Sequence, residues 1–235
     1  IESLIGNNAL TLLTEELTSV KVEGDIFGNE KDSAVFMWSE PNAKLIVEGN
    51  ITARDCQSAI EIYGLSGEMD SLREIPAITV KTLNVESGDY FKALTHDENG
   101  EEIESKALAE AAAKATWYIV DISQPTNGEI EVDGISTKEG LLVAHEGDKR
   151  TVTGAPKKGY RLTGIDAGSK ALVTENEDGT YTVTVERGGD VTISASFEAM
   201  PEMPLTGAQI PIKTAIFLAV ASITLLGMLW KTKRA

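Results

Sequence analysis

Val22-Glu23-Gly24-Asp25-Ile26 returns as Val47-Glu48-Gly49-Asn50-Ile51, and this repetition decides how the N-terminal part of the chain is read. Ser33-Ala34-Val35 returns as Ser58-Ala59-Ile60 at the same spacing of twenty-five residues. Two separate matches in one register are hard to assign to chance. A looser third copy, Leu83-Asn84-Val85-Glu86-Ser87-Gly88, is displaced further by the stretch from Gly64 to Pro76, which reads as a loop inserted between coils. Each copy carries short alternating apolar runs (Val20 and Val22, Leu45 and Val47, Ile60 and Ile62) separated by Gly, Asn and Asp. A unit this short cannot bury its own apolar face, so neighbouring copies must stack.

Strands this short, with Gly-Asp and Gly-Asn corners and no helical period, point to a parallel β-helix. The stretch 1–123 resembles the last rungs and cap of the pectin-lyase-like solenoids found on bacterial surfaces. A leucine-rich solenoid is the alternative, but no LxxLxL pattern is present. After Phe91 the regularity fades. His96-Asp97-Glu98-Asn99-Gly100 reads as a turn. Glu101 to Ala115 reads as a helix with Ile103, Leu108 and Ala112 on its apolar face, and Trp117 to Ile122 as a strand. The helix is expected to cover the end of the stack.

Gln124-Pro125-Thr126-Asn127-Gly128 marks a boundary. Beyond it, strand-like runs alternate with turns: 129–132, 141–143, 149–154, 160–165, 181–185 and 191–197. Asp178-Gly179 directly before Thr180-Tyr181-Thr182-Val183-Thr184-Val185 is the strongest hairpin signal in the chain. The order Gly147-Asp148, Val152, Ala155-Pro156, Gly159-Tyr160-Arg161-Leu162, Asp178-Gly179-Thr180-Tyr181 and Val191 to Phe197 resembles the divergent internalin-type B repeat of Gram-positive surface proteins. That resemblance implies a small β-grasp-like module over 125–199. Its expected core is Val152, Tyr160, Leu162, Ile165, Tyr181, Val183, Val185, Ile193 and Phe197.

Residues 200–235 hold three features in series. Met203-Pro204-Leu205-Thr206-Gly207 comes first, then an uncharged apolar run over 214–230, then a tail with Lys231, Lys233 and Arg234. As a helix, the run would extend ~26 Å, close to the ~30 Å hydrocarbon core of a bilayer. Trp230 stands at one boundary, and the basic residues act as a membrane stop on the cytoplasmic side. This order resembles the cell-wall sorting signal of the LPXTG type, with Met203 where that family has Leu. The resemblance implies that a sortase cuts between Thr206 and Gly207 and passes Thr206 to an amine of the peptidoglycan precursor. The span 214–230 would then cross the membrane only transiently. An ordinary single-span membrane protein is the alternative. The fold class expected for the whole is mainly β: rungs of a parallel β-helix, a small β-grasp-like repeat module, and one C-terminal transmembrane helix.

The chain opens at Ile1 without an initiator Met or export signal, so it reads as the C-terminal part of a longer secreted precursor. Net charge is −16, and it falls to about −20 once Lys213, Lys231, Lys233 and Arg234 are cut away after Thr206. So acidic a body argues against nucleic acid and anionic lipid as partners. The single cysteine, Cys56, cannot form an internal disulfide and reads as a small buried or turn residue.

No catalytic arrangement emerges. His96 and His145 are the only histidines, both in acidic turn contexts, and both read as solvated loop residues. Neither has metal-ligand spacing, and no G-x-S-x-G or phosphate-binding loop is present. The acidic clusters 98–104 and 175–178 lack calcium-loop spacing and read as solvated charge. No catalytic residue, metal or cofactor is therefore assigned. If the solenoid were a polysaccharide lyase or hydrolase, Arg54, Asp55, Glu61 and Glu48 are the positions available, with the catalytic rungs upstream. The expectation is a secreted protein, cell-wall anchored on the bacterial surface, that displays an adhesive or glycan-contacting region. Its partners would be sortase, the peptidoglycan precursor, the membrane in passing, and host or matrix glycans.

Overall fold

The Gly-Asp and Gly-Asn corners stack on each other, and this sets the register of everything around them. The computed structural model describes residues 4–6, 9–12, 19–29, 31–38, 43–64 and 75–201. The Asp25 carboxylate accepts hydrogen bonds from the Asn50 backbone N–H at 2.7 Å and from its side-chain amide at 3.1 Å. A Cβ on Gly49 would come within 2.4 Å of the Gly24 carbonyl oxygen, so only glycine lets the two corners approach so closely.

On either side of these corners the chain forms parallel strands. β1 (Leu4–Gly6) pairs with β4 (Ile26–Gly28), and β4 and β3 (Ser19–Val22) both pair with β6 (Lys44–Ala53). Val22 meets Val47 and Ile26 meets Ile51, the twenty-five-residue offset of the sequence repeat. β6 in turn pairs with β8 (Ala77–Val85), where Ile51 meets Leu83. A second parallel sheet runs β2 (Leu10–Leu12), β5 (Ser33–Trp38), β7 (Ser58–Tyr63) and β9 (Asp89–His96), with Ser33 opposite Ser58 and Ser58 opposite Asp89. The wider offset at the last step is the length added between Tyr63 and Ala77. Val22, Ile26, Val47, Ile51 and Leu83 from the first sheet and Val35, Met37, Ile60 and Ile62 from the second share one core and are fully buried.

In the second sheet the parallel progression ends at β9. The Asp97 carboxylate accepts from the backbone N–H groups of Asn99 (2.8 Å) and Glu101 (2.9 Å), which turns the chain back on itself. β10 (Glu102–Glu104) then runs antiparallel to β9. The helix α1 is Lys106–Ala115, shorter than the sequence suggested, with Ser105 as its N-cap accepting from the Leu108 N–H. Ile103 is therefore a strand residue and exposed, whereas Leu108 and Ala112 are buried as expected.

β11 (Trp117–Ile122) joins the two halves. Its start pairs in parallel with β8 and antiparallel with β14 (Leu141–His145), which also pairs with β13 (Ser136–Lys138). Its end pairs in parallel with β19 (Val191–Ala199), and β19 pairs with β16 (Tyr160–Asp166). A separate antiparallel sheet has the order β12 (Gly128–Val132), β15 (Lys149–Pro156), β18 (Tyr181–Val185), β17 (Ala171–Glu175). Leu162 and Phe197, opposite one another on β16 and β19, lie over Gly154 and Gly128 of that sheet. Of the expected core, Val152, Val183, Val185 and Ile193 are fully buried, and Tyr160, Leu162, Ile165, Tyr181 and Phe197 are half-buried.

The fold is mainly β, but the expected fold class is corrected. The described residues do not form a parallel β-helix, because β10 reverses direction and antiparallel β14 occupies the far side of β11. Nor is 125–199 a β-grasp: among its described residues there is no helix to pack on the sheet, and the partner layer is the β16–β19 pair. Among the described residues no helix is long and apolar enough to cross a membrane; α1 has ten residues. The expected span 214–230 lies outside the described residues.

Candidate functional site

Strand alternation sends Met37, Ile62 and Ala93 into the core and turns Phe36, Trp38, Glu61, Tyr63, Lys92 and His96 to the opposite face of the second sheet. The register places Thr11, Phe36, Glu61 and Lys92 in one row across four strands, and Trp38, Tyr63 and Leu94 in the next. Phe36 and Trp38 both lean on Tyr63, with ring centroids 6.1 and 5.8 Å apart. His96 meets Tyr63 edge-on at 5.6 Å, and its Nε2 lies 3.2 Å from the phenol oxygen. Burial, then the nearby Glu102 carboxylate, raises the Tyr63 pKa above its ordinary value.

A polar cluster borders the rings. Glu61 is buried despite facing outward, and its Oε2 accepts from Ser33 Oγ at 2.8 Å. Ser33 Oγ and Ser58 Oγ are 2.8 Å apart. The single hydroxyl hydrogen of Ser33 goes to the carboxylate, so Ser58 donates to Ser33. Lys92 Nζ sits 3.7 Å from Glu61 Oε2 and donates to Gln57 Oε1 at 2.6 Å.

The four residues considered for polysaccharide cleavage do not converge. Glu48 pairs with Lys21 at 2.9 Å. Arg54 makes a bidentate contact with Glu86 (2.9 to 3.1 Å) and lies over the Phe27 ring. The Arg54 contact holds the Glu86 carboxyl below its ordinary pKa. Asp55 turns the corner before β7 with φ +55°, and Glu61 lies on the other sheet. His145 is not a solvated loop residue: its ring stacks on Trp117 at 3.5 Å, and Nδ1 donates to the Thr116 carbonyl at 2.9 Å. His96 is likewise half-buried against Tyr63. Cys56 is buried at a corner, with Sγ 3.3 Å from the Arg54 carbonyl. Among the described residues no three His, Cys, Asp or Glu side chains are grouped to hold a metal. The sorting residues Met203, Pro204, Leu205, Thr206 and Gly207, and the stop residues Lys231, Lys233 and Arg234, lie outside the described residues.

A pocket of about 310 Å³ opens where β9, β10 and α1 meet the turn after β18, lined by Asp89, Tyr90, Glu104, Lys106, Glu110 and Arg187 among others. Its arginine is already engaged. Arg187 bonds Glu146 (2.8 and 3.2 Å) and Glu110 (2.9 and 3.0 Å), which raises its own pKa and lowers that of Glu110. Beside it Tyr118 is fully buried, and desolvation pushes its phenol up to about 12.

The strands from β11 to β19 coincide with a stretch that matches a known family. Residues 118–201 match the divergent InlB B-repeat domain. The match spans about a third of the chain and includes the paired sheets, the Asp178-Gly179 hairpin and β19. In this B-repeat the first strand is also the last parallel neighbour of β8. No curated protein and no solved structure matches the chain.

Proposed function

We propose that the chain is part of a secreted bacterial surface protein that sortase anchors covalently to peptidoglycan through Thr206, with the B-repeat as a spacer between wall and displayed region. One observation carries this reading: Met203-Pro204-Leu205-Thr206-Gly207 follows the B-repeat within a few residues, and an uncharged apolar run and Lys231, Lys233 and Arg234 come directly after it. A proline fixes its own φ and biases the residue before it towards extended conformations, so the Met-Pro pair suits a peptide threaded into an enzyme groove. Gly207 leaves no side chain beside the attacked carbonyl. The sortase thiolate attacks the Thr206 carbonyl, the Gly207 amine leaves, and a peptidoglycan-precursor amine then displaces the thiol. The apolar run holds that bond at the outer membrane face until the exchange is made. The parallel stack is the displayed, adhesive part, and its acidic surface keeps it clear of anionic wall polymers.

Fractionation of cells producing the wild type and Thr206→Ala tests the anchor. The wild type is released only by a muralytic enzyme, whereas the variant stays extractable by detergent. Detergent extraction of both would leave a plain single-span protein and overturn the reading.

A further inference from the structure

We propose that the outward face of the second sheet, centred on Trp38, Tyr63 and Phe36, is a binding platform for a neutral pyranose chain. The inference deepens the adhesive side of the display reading above and rests on it for where such a chain is met. Three aromatic rings turned away from the core expose apolar surface beside polar tips, the combination that matches the flat C–H faces and rim hydroxyls of a sugar. The rings pack on each other at 5.8 and 6.1 Å, which leaves no gap to enclose a cation between them. A ligand must therefore lie across the rings.

Lys92 supplies the directional contact, held in place by buried Glu61. The Lys92 ammonium has three hydrogens; one is given to Gln57 and another faces Glu61, leaving a donor for a hydroxyl. Charge decides which sugars fit. Glu61 and Glu102 border the rings and the whole chain carries −16, so uronic and sulfated glycans are repelled while neutral ones are not. Size points the same way: three half-buried rings expose on the order of 100–250 Å², far below the ~800 Å² that a stable protein partner covers. β-1,4-linked chains with equatorial substituents are the best match, since both of their faces are flat.

The test uses the full chain in detergent micelles with Trp117→Phe and Trp230→Phe, leaving Trp38 as the only tryptophan. Titration with chitotetraose or cellotetraose is expected to shift Trp38 emission saturably and to shield it from acrylamide, while a heparin tetrasaccharide does neither. Phe36→Ala, with its near-UV circular dichroism retained, is expected to weaken binding about ten-fold. If that variant fails to fold, shielding of Trp38 in the parent protein decides. No shielding by either neutral oligosaccharide, undiminished binding by folded Phe36→Ala, or preference for heparin would each overturn the proposal. Thr206→Ala must bind the oligosaccharide unchanged, so failure here is separable from failure of the anchoring reading.

Discussion

Ser33 and Ser58, twenty-five residues apart in sequence, stand one above the other with their Oγ atoms 2.8 Å apart, and Ser33 donates its proton to buried Glu61. The relay runs Ser58 to Ser33 to the carboxylate. Ser33→Ala removes a charge-assisted bond to buried Glu61, so it should cost about 1.5–3 kcal/mol. Ser58→Ala removes only a neutral bond and should cost about 1 kcal/mol. Urea unfolding of the two variants measures the difference, and equal costs would contradict the relay.

Gly49 meets the preceding corner at a distance no Cβ tolerates. Gly49→Ala must push back the Gly24 carbonyl and disturb the Asp25–Asn50 bonds, at about 1–3 kcal/mol. Thermal unfolding reads the loss directly, and an unchanged midpoint would mean that the corners do not stack.

Thr82 is buried, and its hydroxyl has no hydrogen-bond partner among the described residues. Thr82→Val keeps the shape and removes an unsatisfied polar atom. Unlike most core substitutions it should leave stability equal or raise it by about 1 kcal/mol. A clear loss in a denaturant titration would mean that the hydroxyl has a partner after all.

Arg187 ties α1 to the turn after β14 through Glu110 and Glu146. Because Arg187 lowers the folded-state pKa of Glu110, this link stabilises the fold fully above the unfolded value, near ~4.3. It is lost as pH falls through the lower, folded value. Wild-type stability should therefore drop below about pH 4.3 more steeply than that of Arg187→Gln. The variant should melt at a lower temperature than the wild type at neutral pH, and the gap should close in acid. Melting curves recorded from neutral to acidic pH make the comparison, and a gap that stays constant would contradict it.

The parallel register was legible because the repeat is written in the residues that enforce it: Gly24 and Gly49 at the corner, Val22 and Val47 beside it, Ser33 and Ser58 in the second sheet. The Asp178-Gly179 hairpin was equally plain, since the turn chemistry and the alternating strand agree. What failed was pairing that depends on distant partners. Glu101 to Glu104 has helical propensity, yet the open edge of β9 captures Glu102–Glu104 as a strand. β13 has three residues and none is apolar, so local pattern does not mark it, and the Ala171-Leu172-Val173 run of β17 gains its strand partner only through β18. The aromatic face left one trace: Trp38 and Tyr63 are repeat equivalents at the twenty-five-residue offset. His96 joins them only after the insertion beyond Tyr63 is counted, which no local signal fixes.

β11 hydrogen-bonds to β8 at its start and to β19 at its end, in parallel in both cases. A pull on the chain beyond Ala199 therefore drags β19 lengthwise past β11. Their bonds are loaded together, in shear, and cannot open in succession like a zipper. Tension reaching the last strand is handed sideways into the stack, so a load applied there is met by several bonds at once.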